Sequence, residues 1–335
     1  MIKILYIGNV LSNKGKTSTT IETLSKHLRE ICSIKIASNK SNKISRVLDM
    51  IKLVLANNSK TDFVLIDTYS TTNFYYAVII SQLCRFFKLK YITILHGGNL
   101  EFRLKENSKL SSLIFENAHQ IVAPSNFLKT VFSSYGYSGV LFIPNTIEID
   151  NYEFKNRSIN SIELLWVRSF ASIYNPEQAV LVLEQLLKMN YDARLTMVGP
   201  DVDGSFAKIK DLANTKDLEV NFTGKLTKLE WIALSKKCNV FINTTNIDNT
   251  PVSVIEAMAL GLPVVTTNVG GLPYLIDDYT DGLLVPPQDV KSMVSAILKL
   301  KSEDTFRFKL ITRARSKVEK FDWNAVKPKW KTLLS

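Results

Sequence analysis

The chain has 335 residues, of which 46% are apolar and 22% are charged, and its formal net charge is +11. This is the composition of a globular protein with enough apolar residues for two medium-sized cores, which excludes a disordered or low-complexity chain. The charge is uneven, because residues 1–150 contain 18 Lys and Arg against 10 Asp and Glu, whereas residues 151–335 contain 24 against 21.

The first half of the chain alternates apolar runs of strand length with longer runs of helical period. Residues 2–7 predict a strand, and residues 18–31 and 75–87 predict helices. Further strands are predicted at residues 33–37, 63–67, 91–95, 120–123 and 140–143. This alternation predicts a mostly parallel sheet covered on both faces. The polar stretch 148–158 is then interpreted as a linker.

The same alternation starts again after the linker. Strands are predicted at residues 162–167, 194–198, 219–222, 240–243, 264–266 and 282–285, and helices are predicted to begin at Pro176, Leu229, Val252 and Val290. We therefore expect two doubly wound α/β domains, residues 1–155 and 160–320, with a ligand at the carboxyl ends of the strands. The last segment, 321–335, is expected to pack as a helix on a domain surface, with the first domain as one candidate.

Residues 15–17, Gly-Lys-Thr, lie between the first strand and the first helix, as the end of a phosphate-binding P-loop would. A P-loop needs a glycine five residues earlier, where Val10 stands, and the nearest upstream glycine is Gly8. Only Asp67 could serve as an acidic residue at a strand end. An NTPase is therefore disfavoured, although the N–H groups of such a turn still favour an anion.

The stretch 248–265 combines acidic residues with the start of a predicted helix. Pro251 suits a first helical turn and Gly261 a helix end. Asp248 precedes the helix and Glu256 lies two turns into it, so carboxylates that can accept from sugar hydroxyls flank an N-terminus that favours phosphate. A nucleotide-sugar carries both groups. The structural alternative is that Asp248 caps the helix and Glu256 is solvated or ion-paired.

This stretch resembles the retaining glycosyltransferases of the GT-B fold, family-4 type, whose signature is an acidic residue, seven residues, then Glu-Ala-Met-Ala-x-Gly-x-Pro-Val-Val. Asp248 replaces the usual first Glu, and residues 256–265 match the rest. Similar motifs recur at residues 124–125, 144–145, 198–200, 222–224, 270–273 and 281–286. The resemblance spans nearly the whole chain and implies two Rossmann-like domains that face each other across a cleft.

The resemblance also implies roles for individual residues of the second domain. Glu256 would bind the ribose hydroxyls of the donor, and Asp248 a hydroxyl of the transferred sugar. The base would lie near Gly224 and Lys225. The following loop would present N–H groups to sugar and phosphate through Asn249, Thr250, Pro251, Val252 and Ser253.

In the first domain the resemblance implies two contacts with the donor. The loop around Gly15 and Lys16 would approach the donor phosphates, and His96, at a strand end before two glycines, would lie near the reacting sugar. A capping or hydrogen-bonding role for His96 is the alternative.

One family feature is missing. Family members carry an Arg and, about six residues later, a Lys that together neutralise the diphosphate leaving group; Arg168 matches the Arg, but Tyr174 stands where the Lys is expected. Another cation could substitute, the donor pocket could differ, or the protein could bind donor without fast turnover. We favour substitution, with Lys14, Lys16 and Lys225 as candidates. A surface ion pair is the structural alternative for Arg168.

No metal or cofactor is predicted beyond a nucleoside-diphosphate-sugar as co-substrate. The single Asp-x-Asp triplet, residues 201–203, follows Gly199 and Pro200 and is interpreted as a turn. The basic first domain fits a glycan or lipid-linked oligosaccharide acceptor at the anionic inner face of the cell membrane, with peripheral contact to that membrane. Solvated lysines that only keep the protein soluble are the alternative. Nucleic acid is not expected, since no aromatic residues are interleaved with the charges in the usual way.

The chain is expected to be cytoplasmic. It starts without a signal-peptide layout, its longest nearly continuous apolar stretch, 74–84, is shorter than the ~20 residues of a spanning helix, and its three cysteines are scattered. We expect a metal-independent, retaining hexosyltransferase of bacterial surface-polysaccharide synthesis, in capsule, O-antigen or lipopolysaccharide. Two alternatives remain: a GT-B enzyme that epimerises or hydrolyses a nucleotide-sugar, and a non-catalytic subunit that binds one.

Overall fold

The computed structural model describes residues 1–10, 19–97 and 99–335. The predictions made for Lys14, Gly15 and Lys16 lie outside the described residues. The chain divides into two compact units, one formed by Met1–Thr146 with Trp323–Ser335 and the other by Ile147–Asp322.

The first unit contains, in its described part, a parallel six-stranded sheet. Its strands are β1 (Lys3–Ile7), β2 (Ser33–Ala37), β3 (Phe63–Tyr69), β4 (Lys90–His96), β5 (Gln120–Ala123) and β6 (Leu141–Phe142), in the spatial order β2-β1-β3-β4-β5-β6. Its helices are α1 (Thr20–Leu28), α2 (Lys43–Asn57), α3 (Phe74–Phe86), α4 (Leu100–Glu106), α5 (Ser108–Phe115), α6 (Asn126–Ser134) and the chain's last helix, Trp323–Leu334.

The two faces of this sheet are covered because apolar side chains point alternately to either side. Leu5 and Ile7 face a core shared with α2 to α6, whereas Ile4 and Tyr6 face a core shared with α1 and the C-terminal helix. That helix is fixed to α1 by stacking of Trp323 on His27, with ring centroids 4.9 Å apart. Every strand predicted for this half is present, within two residues at either end.

The second unit has the same architecture with a different strand order. Its strands are β7 (Ile162–Val167), β8 (Ala193–Val198), β9 (Val220–Gly224), β10 (Val240–Asn243), β11 (Val264–Thr267) and β12 (Leu283–Val285), and in the described chain they pair in parallel in the order β12-β11-β10-β7-β8-β9. Its helices are α7 (Pro176–Lys188), α8 (Ser205–Thr215), α9 (Lys228–Ser235), α10 (Val252–Ala259), α11 (Leu272–Leu275), α12 (Val290–Ser302) and α13 (Asp304–Val318); the C-terminal helix Trp323–Leu334 is α14.

The expected α/β class, with two doubly wound Rossmann-like sheets, is confirmed. The division between the units differs from the boundary drawn on the sequence. Residues 147–155 belong to the second unit, because Ile147 and Tyr152 are buried in its core against α10. The polar residues of this segment favour a linker in the sequence, although the side chains of Ile147 and Tyr152 are buried.

Candidate functional site

In the second unit the predicted donor residues converge where the winding direction of the sheet reverses. This switch point lies between β7 and β10, which are neighbours in space although two strands separate them along the chain. Arg168 directly follows β7, and Asp248 lies five residues beyond β10. Loops after such neighbouring strands diverge to opposite faces and leave a crevice, so ligands of doubly wound sheets bind there.

Arg168 is held from three sides. Its guanidinium forms an ion pair with Asp248, and its Cζ lies 4.3 Å from the centroid of the Tyr174 ring. Its backbone N–H donates to the Val198 carbonyl at 3.0 Å, and a Cβ at Gly199 would lie only 1.8 Å from the Arg168 carbonyl oxygen. Its Nε is buried and has no hydrogen-bond partner among the described residues, so a donor is left for a ligand.

Asp248 does not cap α10, because its carboxylate is engaged elsewhere. Oδ2 pairs with Arg168, and Oδ1 accepts from the backbone N–H of Asn249 at 2.8 Å. Burial raises the pKa of Asp248, and the Arg168 charge and the Asn249 N–H oppose that rise. The ion pair thus keeps a carboxylate and a guanidinium together in a mostly buried place.

The loop from Asp248 to α10 packs directly against the backbone of Gly270 and Gly271. The Gly271 N–H donates to the Asp248 carbonyl at 2.9 Å, and a Cβ at Gly271 would lie 1.7 Å from the Asn249 carbonyl oxygen. Beyond this contact, Thr250 Oγ1 and Ser253 Oγ are buried and have no hydrogen-bond partner in the described chain. Together with the first N–H groups of α10, these unpaired hydroxyls can donate to an anion.

Glu256 lies inside α10 and is 4% exposed. Its Oε1 accepts from the Tyr152 hydroxyl at 2.7 Å and forms an ion pair with Lys228. Neither contact uses Oε2, which therefore keeps its capacity to accept from a ligand hydroxyl. The ion-paired alternative raised by the sequence describes this state, but the side chain is buried rather than solvated.

The C-terminal end of α10 is neutralised by two arginines. Arg315 Nη1 donates to the carbonyls of Ala259 at 2.8 Å and of Tyr152 at 2.7 Å, and Arg157 Nη1 donates to the Leu260 carbonyl at 2.7 Å. Cations at this end complement the helix dipole, which leaves the opposite end, at Val252, as the positive end available to an anion.

The residues predicted for the base lie at the end of β9. Gly224 has a left-handed φ of 69°, and its carbonyl accepts from the Gly199 N–H at 2.9 Å, which connects it to the Arg168 segment; Lys225 is exposed. The sequence analysis did not identify Tyr152 or Lys228, the two partners of Glu256. Two aromatic residues, Tyr152 and Phe154, lie in this polar stretch, and nothing in the sequence distinguishes the one that contacts Glu256.

The first unit has its own polar cluster at its own switch point, between β1 and β3. Asp67 is fully buried, and its Oδ1 lies 2.7 Å from His96 Nε2 and accepts from the Tyr6 hydroxyl at 2.9 Å. The Tyr69 ring stacks on the imidazole with a centroid distance of 4.7 Å. Burial and the nearby Asp67 raise the pKa of Tyr6 far above its ordinary value, so Tyr6 remains a hydroxyl donor.

This cluster determines how His96 is presented. An ionised Asp67 only accepts, so Nε2 is the imidazole nitrogen that donates to it, and Nδ1 takes no part in this contact. Asp67 Oδ2 is buried without a hydrogen-bond partner among the described residues, and a Cβ at Gly8 would lie 2.4 Å from it. Asp67 therefore orients His96 instead of ending a Walker-type strand, and the hydrogen-bonding alternative raised for His96 describes this contact.

The described residues include no group of three or more His, Cys, Asp or Glu side chains arranged to hold a metal ion. Residues 201–203 form the turn that the sequence predicted: Asp203 accepts from the backbone N–H of Ser172 at 2.8 Å and of Ser205 at 3.1 Å. In the part of the chain that is described, every helix is too short or too polar to cross a lipid bilayer.

The second unit thus has the features of a nucleotide-binding α/β domain: a switch-point crevice, unpaired donors at a helix N-terminus, and a buried carboxylate two turns later. The sequence profile of one family, described as "Glycosyl transferases group 1", matches residues 148–317, which is just over half of the chain. The chain belongs to this family. The matched range lies within the second unit.

Individual proteins are similar to the chain at lower identity. The sulfoquinovosyl transferase SQD2 of Arabidopsis thaliana is 28% identical over 156 residues, covering 46% of this chain and 30% of that protein. The putative colanic acid biosynthesis glycosyltransferase WcaL of Salmonella typhimurium is 24% identical over 262 residues, covering 73% and 64%. The chain thus spans less than two thirds of the length of either curated relative.

Solved structures share the fold over the full length. The crystal structure of Anabaena HepE in complex with UDP superimposes with a TM-score of 0.81 at 16% sequence identity, covering 99% of both chains. At this identity the likeness concerns the fold alone, and it supports the GT-B architecture expected from the sequence.

Proposed function

We propose that this protein transfers a glycosyl group from a nucleoside-diphosphate-sugar to a hydroxyl acceptor, with retention of configuration at the anomeric carbon. Membership of the group 1 glycosyl transferases supports the reaction class. The observation that carries the proposal is the group of buried, unpaired donors on Arg168, Thr250 and Ser253 at the start of α10, with the buried Glu256 carboxylate in the same helix. A diphosphate satisfies the donors, and ribose hydroxyls satisfy the carboxylate.

In this proposal each residue of the second unit has a separate task. Glu256 accepts hydrogen bonds from the ribose, Arg168 and the α10 N-terminus bind the diphosphate, and Asp248 accepts from a hydroxyl of the transferred sugar. The base lies beside Gly224 and Lys225. The departing diphosphate, held by these groups, stabilises the oxocarbenium-like transition state electrostatically.

Two further parts of the proposal concern what the reaction does and does not need. His96 of the first unit contacts the transferred sugar, with its Nδ1 as acceptor while Asp67 holds Nε2. Cations and N–H groups of the protein neutralise the leaving group, so we propose no metal ion and no cofactor besides the nucleotide-sugar. Lys16 and Gly15 remain candidates for the phosphate site.

The test is a product analysis with a panel of nucleotide-sugars and a hydroxyl acceptor such as a lipid-linked glycan. We expect one donor to be consumed only with acceptor present, and the product's anomeric configuration, read by NMR, to equal that of the donor. Inversion would refute retention. Release of free sugar or an epimer without acceptor would indicate the alternative hydrolase or epimerase.

The non-catalytic alternative is separated by a matched pair of variants. Glu256→Ala removes the ribose acceptor, and Glu219→Gln changes an exposed carboxylate outside the site in the same unit. We expect loss of donor binding and of product with the first variant and neither with the second. Unchanged pathway output in cells with Glu256→Ala, despite abolished donor binding, would show that catalysis by this chain is not needed.

We further propose that the acceptor is a lipid-linked glycan of bacterial surface polysaccharide, and that the first unit contacts the anionic inner face of the cell membrane. Two adjacent helices of this unit support the contact. Ile44, Leu48 and Leu55 on α2 are exposed at positions i, i+4 and i+11, and α3 repeats this spacing with the exposed Tyr75, Ile79 and Phe86. Ile44 and Phe86 are 72% and 79% exposed.

Charge on these helices complements an anionic surface. Lys43 and Lys52 lie within the exposed face of α2, and Arg85 precedes Phe86 on α3. The single acidic residue of α2, Asp49, accepts from Ser38 Oγ at 2.6 Å, and α3 has none. Each buried large apolar side chain contributes roughly 1.5–3 kcal/mol and each lysine near an anionic surface about 1 kcal/mol, so the face suffices for peripheral binding.

Vesicle flotation tests this contact. We expect the protein to float with phosphatidylcholine vesicles enriched in phosphatidylglycerol, less with phosphatidylcholine alone, and less at high salt. Leu48→Ser with Phe86→Ser should abolish flotation, whereas Val202→Ser with Met189→Ser, exposed apolar residues of the second unit, should not. Equal flotation of both double variants would refute the assignment of this face.

A further inference from the structure

The position that departs from the family motif makes a specific contact in this chain. Tyr174, which stands where the resemblance implies a Lys, places its ring against the guanidinium of Arg168, with Cζ 4.3 Å from the ring centroid. This is within the range of a cation–π contact, and the partial burial of Arg168, whose side chain is 19% exposed, strengthens it.

The backbone holds the Tyr174 ring in place. The Thr244 hydroxyl donates to the neighbouring carbonyls of Tyr174 and Asn175, at 3.0 and 2.8 Å, and it accepts from the indole N–H of Trp166 at 3.0 Å. The other side of the turn is fixed by Asp203, which accepts from the N–H and hydroxyl of Ser172 at 2.8 and 3.0 Å. The backbone that carries the ring is therefore tied to both strands of the switch point, to β7 by Trp166 and to β10 by Thr244, the residue that follows it.

We infer that Tyr174 is a positioning residue for Arg168, which then serves as the fixed cation of the diphosphate site in place of an Arg–Lys pair. The inference rests on the proposed function for the identity of the anion. The ring lies against the guanidinium carbon, Asp248 pairs with one terminal nitrogen, and Nε is left as a buried donor without a partner among the described residues. The site then relies on one preorganised guanidinium, which loses less side-chain entropy when phosphate binds than a freely rotating cation would.

This contact also explains why position 174 does not carry a second cation. A lysine at position 174 would remove the contact between the ring and the guanidinium. It would also place a second positive charge beside Arg168, which has the Asp248 carboxylate as its one ion-pair partner among the described residues. Like charges so close repel each other, so the Tyr174→Lys change would displace Arg168 unless a diphosphate were already bound.

Arg168 can be observed directly without a nucleotide. Its Nε–Hε NMR signal, assigned with Arg168→Lys, should be displaced by the ring current of Tyr174 in the wild type. Tyr174→Phe should keep this displacement, and Tyr174→Leu should remove it. Phe306→Leu, which removes a ring beneath Lys299 in the same unit, is the matched control and should leave the signal unchanged. A signal that does not respond to Tyr174→Leu would overturn the inference.

Calorimetry with UDP, GDP and ADP, and with the corresponding nucleosides, measures the consequence. For the nucleotide that binds, Tyr174→Leu should weaken diphosphate affinity about tenfold and leave nucleoside affinity unchanged, and Tyr174→Phe should restore it. Equal losses for nucleoside and diphosphate would indicate general damage to the domain and contradict a role through Arg168.

Tyr174→Lys separates the two explanations of the missing lysine. We expect its diphosphate affinity and donor turnover to stay at or below those of the wild type. Higher affinity and faster turnover of Tyr174→Lys would show that Tyr174 does not position Arg168 and that the site merely lacks a cation there. If no nucleotide binds the wild type, the proposed function fails, and the NMR comparison still decides whether Tyr174 positions Arg168.

Discussion

Each of the two units contains a buried carboxylate of which one oxygen contacts both a tyrosine hydroxyl and a basic side chain. In the first unit Asp67 accepts from Tyr6 and pairs with His96; in the second, Glu256 accepts from Tyr152 and pairs with Lys228. The basic partners differ in exposure. His96 is 5% exposed and is stacked under an aromatic ring, whereas the Lys228 side chain is 54% exposed.

This difference in the exposure of the basic partners implies different roles for the two buried carboxylates. Lys228 can move into water at little cost, so Glu256 can exchange it for ligand hydroxyls. His96 has no such freedom, so Asp67 serves by holding the imidazole in one orientation. The family profile matches only residues 148–317, within the unit whose carboxylate can exchange its partner.

The largest effect is expected from Glu256→Ala. Loss of charged hydrogen bonds to two ribose hydroxyls should weaken nucleotide affinity about 10³-fold, measured by calorimetry with UDP, GDP and ADP. Lys228→Ala should retain or raise the affinity, because the lysine only competes for Oε1. If Lys228→Ala weakens binding as much as Glu256→Ala, the lysine is itself a ligand contact and the comparison between the two units fails.

Asp67→Asn tests the other half of the comparison. An amide can present its N–H₂ to His96 Nε2 and so reverse the imidazole tautomer, which should lower turnover about 10²-fold while nucleotide affinity stays unchanged. The His96→Asn variant and the double variant complete the cycle, and we expect the double variant to be no slower than the slower single variant. Additive losses would mean that Asp67 does not act through His96.

A smaller effect is expected from Tyr152→Phe, which removes one hydrogen bond from the buried Glu256. The loss of about 1–3 kcal/mol should lower nucleotide affinity by about tenfold and Tm by a few degrees. Tyr191→Phe, a change on the same unit away from α10, is the control. An unchanged affinity with a lowered Tm would limit Tyr152 to a structural role.

The smallest effect concerns the turn that carries Tyr174. Hydrogen bonds from Ser205 and Ser172 lower the pKa of Asp203 to about 2. A carboxylate with a lowered folded-state pKa stabilises the fold above its unfolded pKa and loses that effect as the pH falls through the folded value. The difference in unfolding free energy between the wild type and Asp203→Asn should be constant from about pH 7 to about pH 5.

Below that range the difference should shrink between about pH 4 and about pH 2, as urea denaturation at stepped pH can measure. Asp201→Asn serves as the comparison, since the Asp201 carboxylate accepts from the backbone N–H groups of Gly204 and Phe206 at the start of α8 instead of from Ser172. A difference in unfolding free energy that stays constant down to the lowest pH would show that these hydrogen bonds to Asp203 do not stabilise the fold.

Much of the fold was predictable because its signals are local. Alternating burial and β-branched residues place every strand to within two residues at either end, and the Pro251 and Gly261 positions define α10 to within one. The site residues found from sequence, Arg168, Asp248 and Glu256, follow from a motif that is contiguous or lies directly after a strand. The boundary at 147 was missed because burial of Tyr152 depends on α10, about a hundred residues away.

The sequence by itself determined the class of the fold, the family and the candidate site residues of the second unit, because hydrophobic period, turn chemistry and motif spacing act over a few residues. Only the tertiary structure decided the partners: Tyr152 and Lys228 for Glu256, Asp67 and Tyr6 for His96, and the Tyr174 ring for Arg168. Tyr174 lies only six residues from Arg168, yet from the sequence alone it appears only as the absence of a lysine. The turn between them, held by Thr244 and Asp203, brings the ring against the guanidinium.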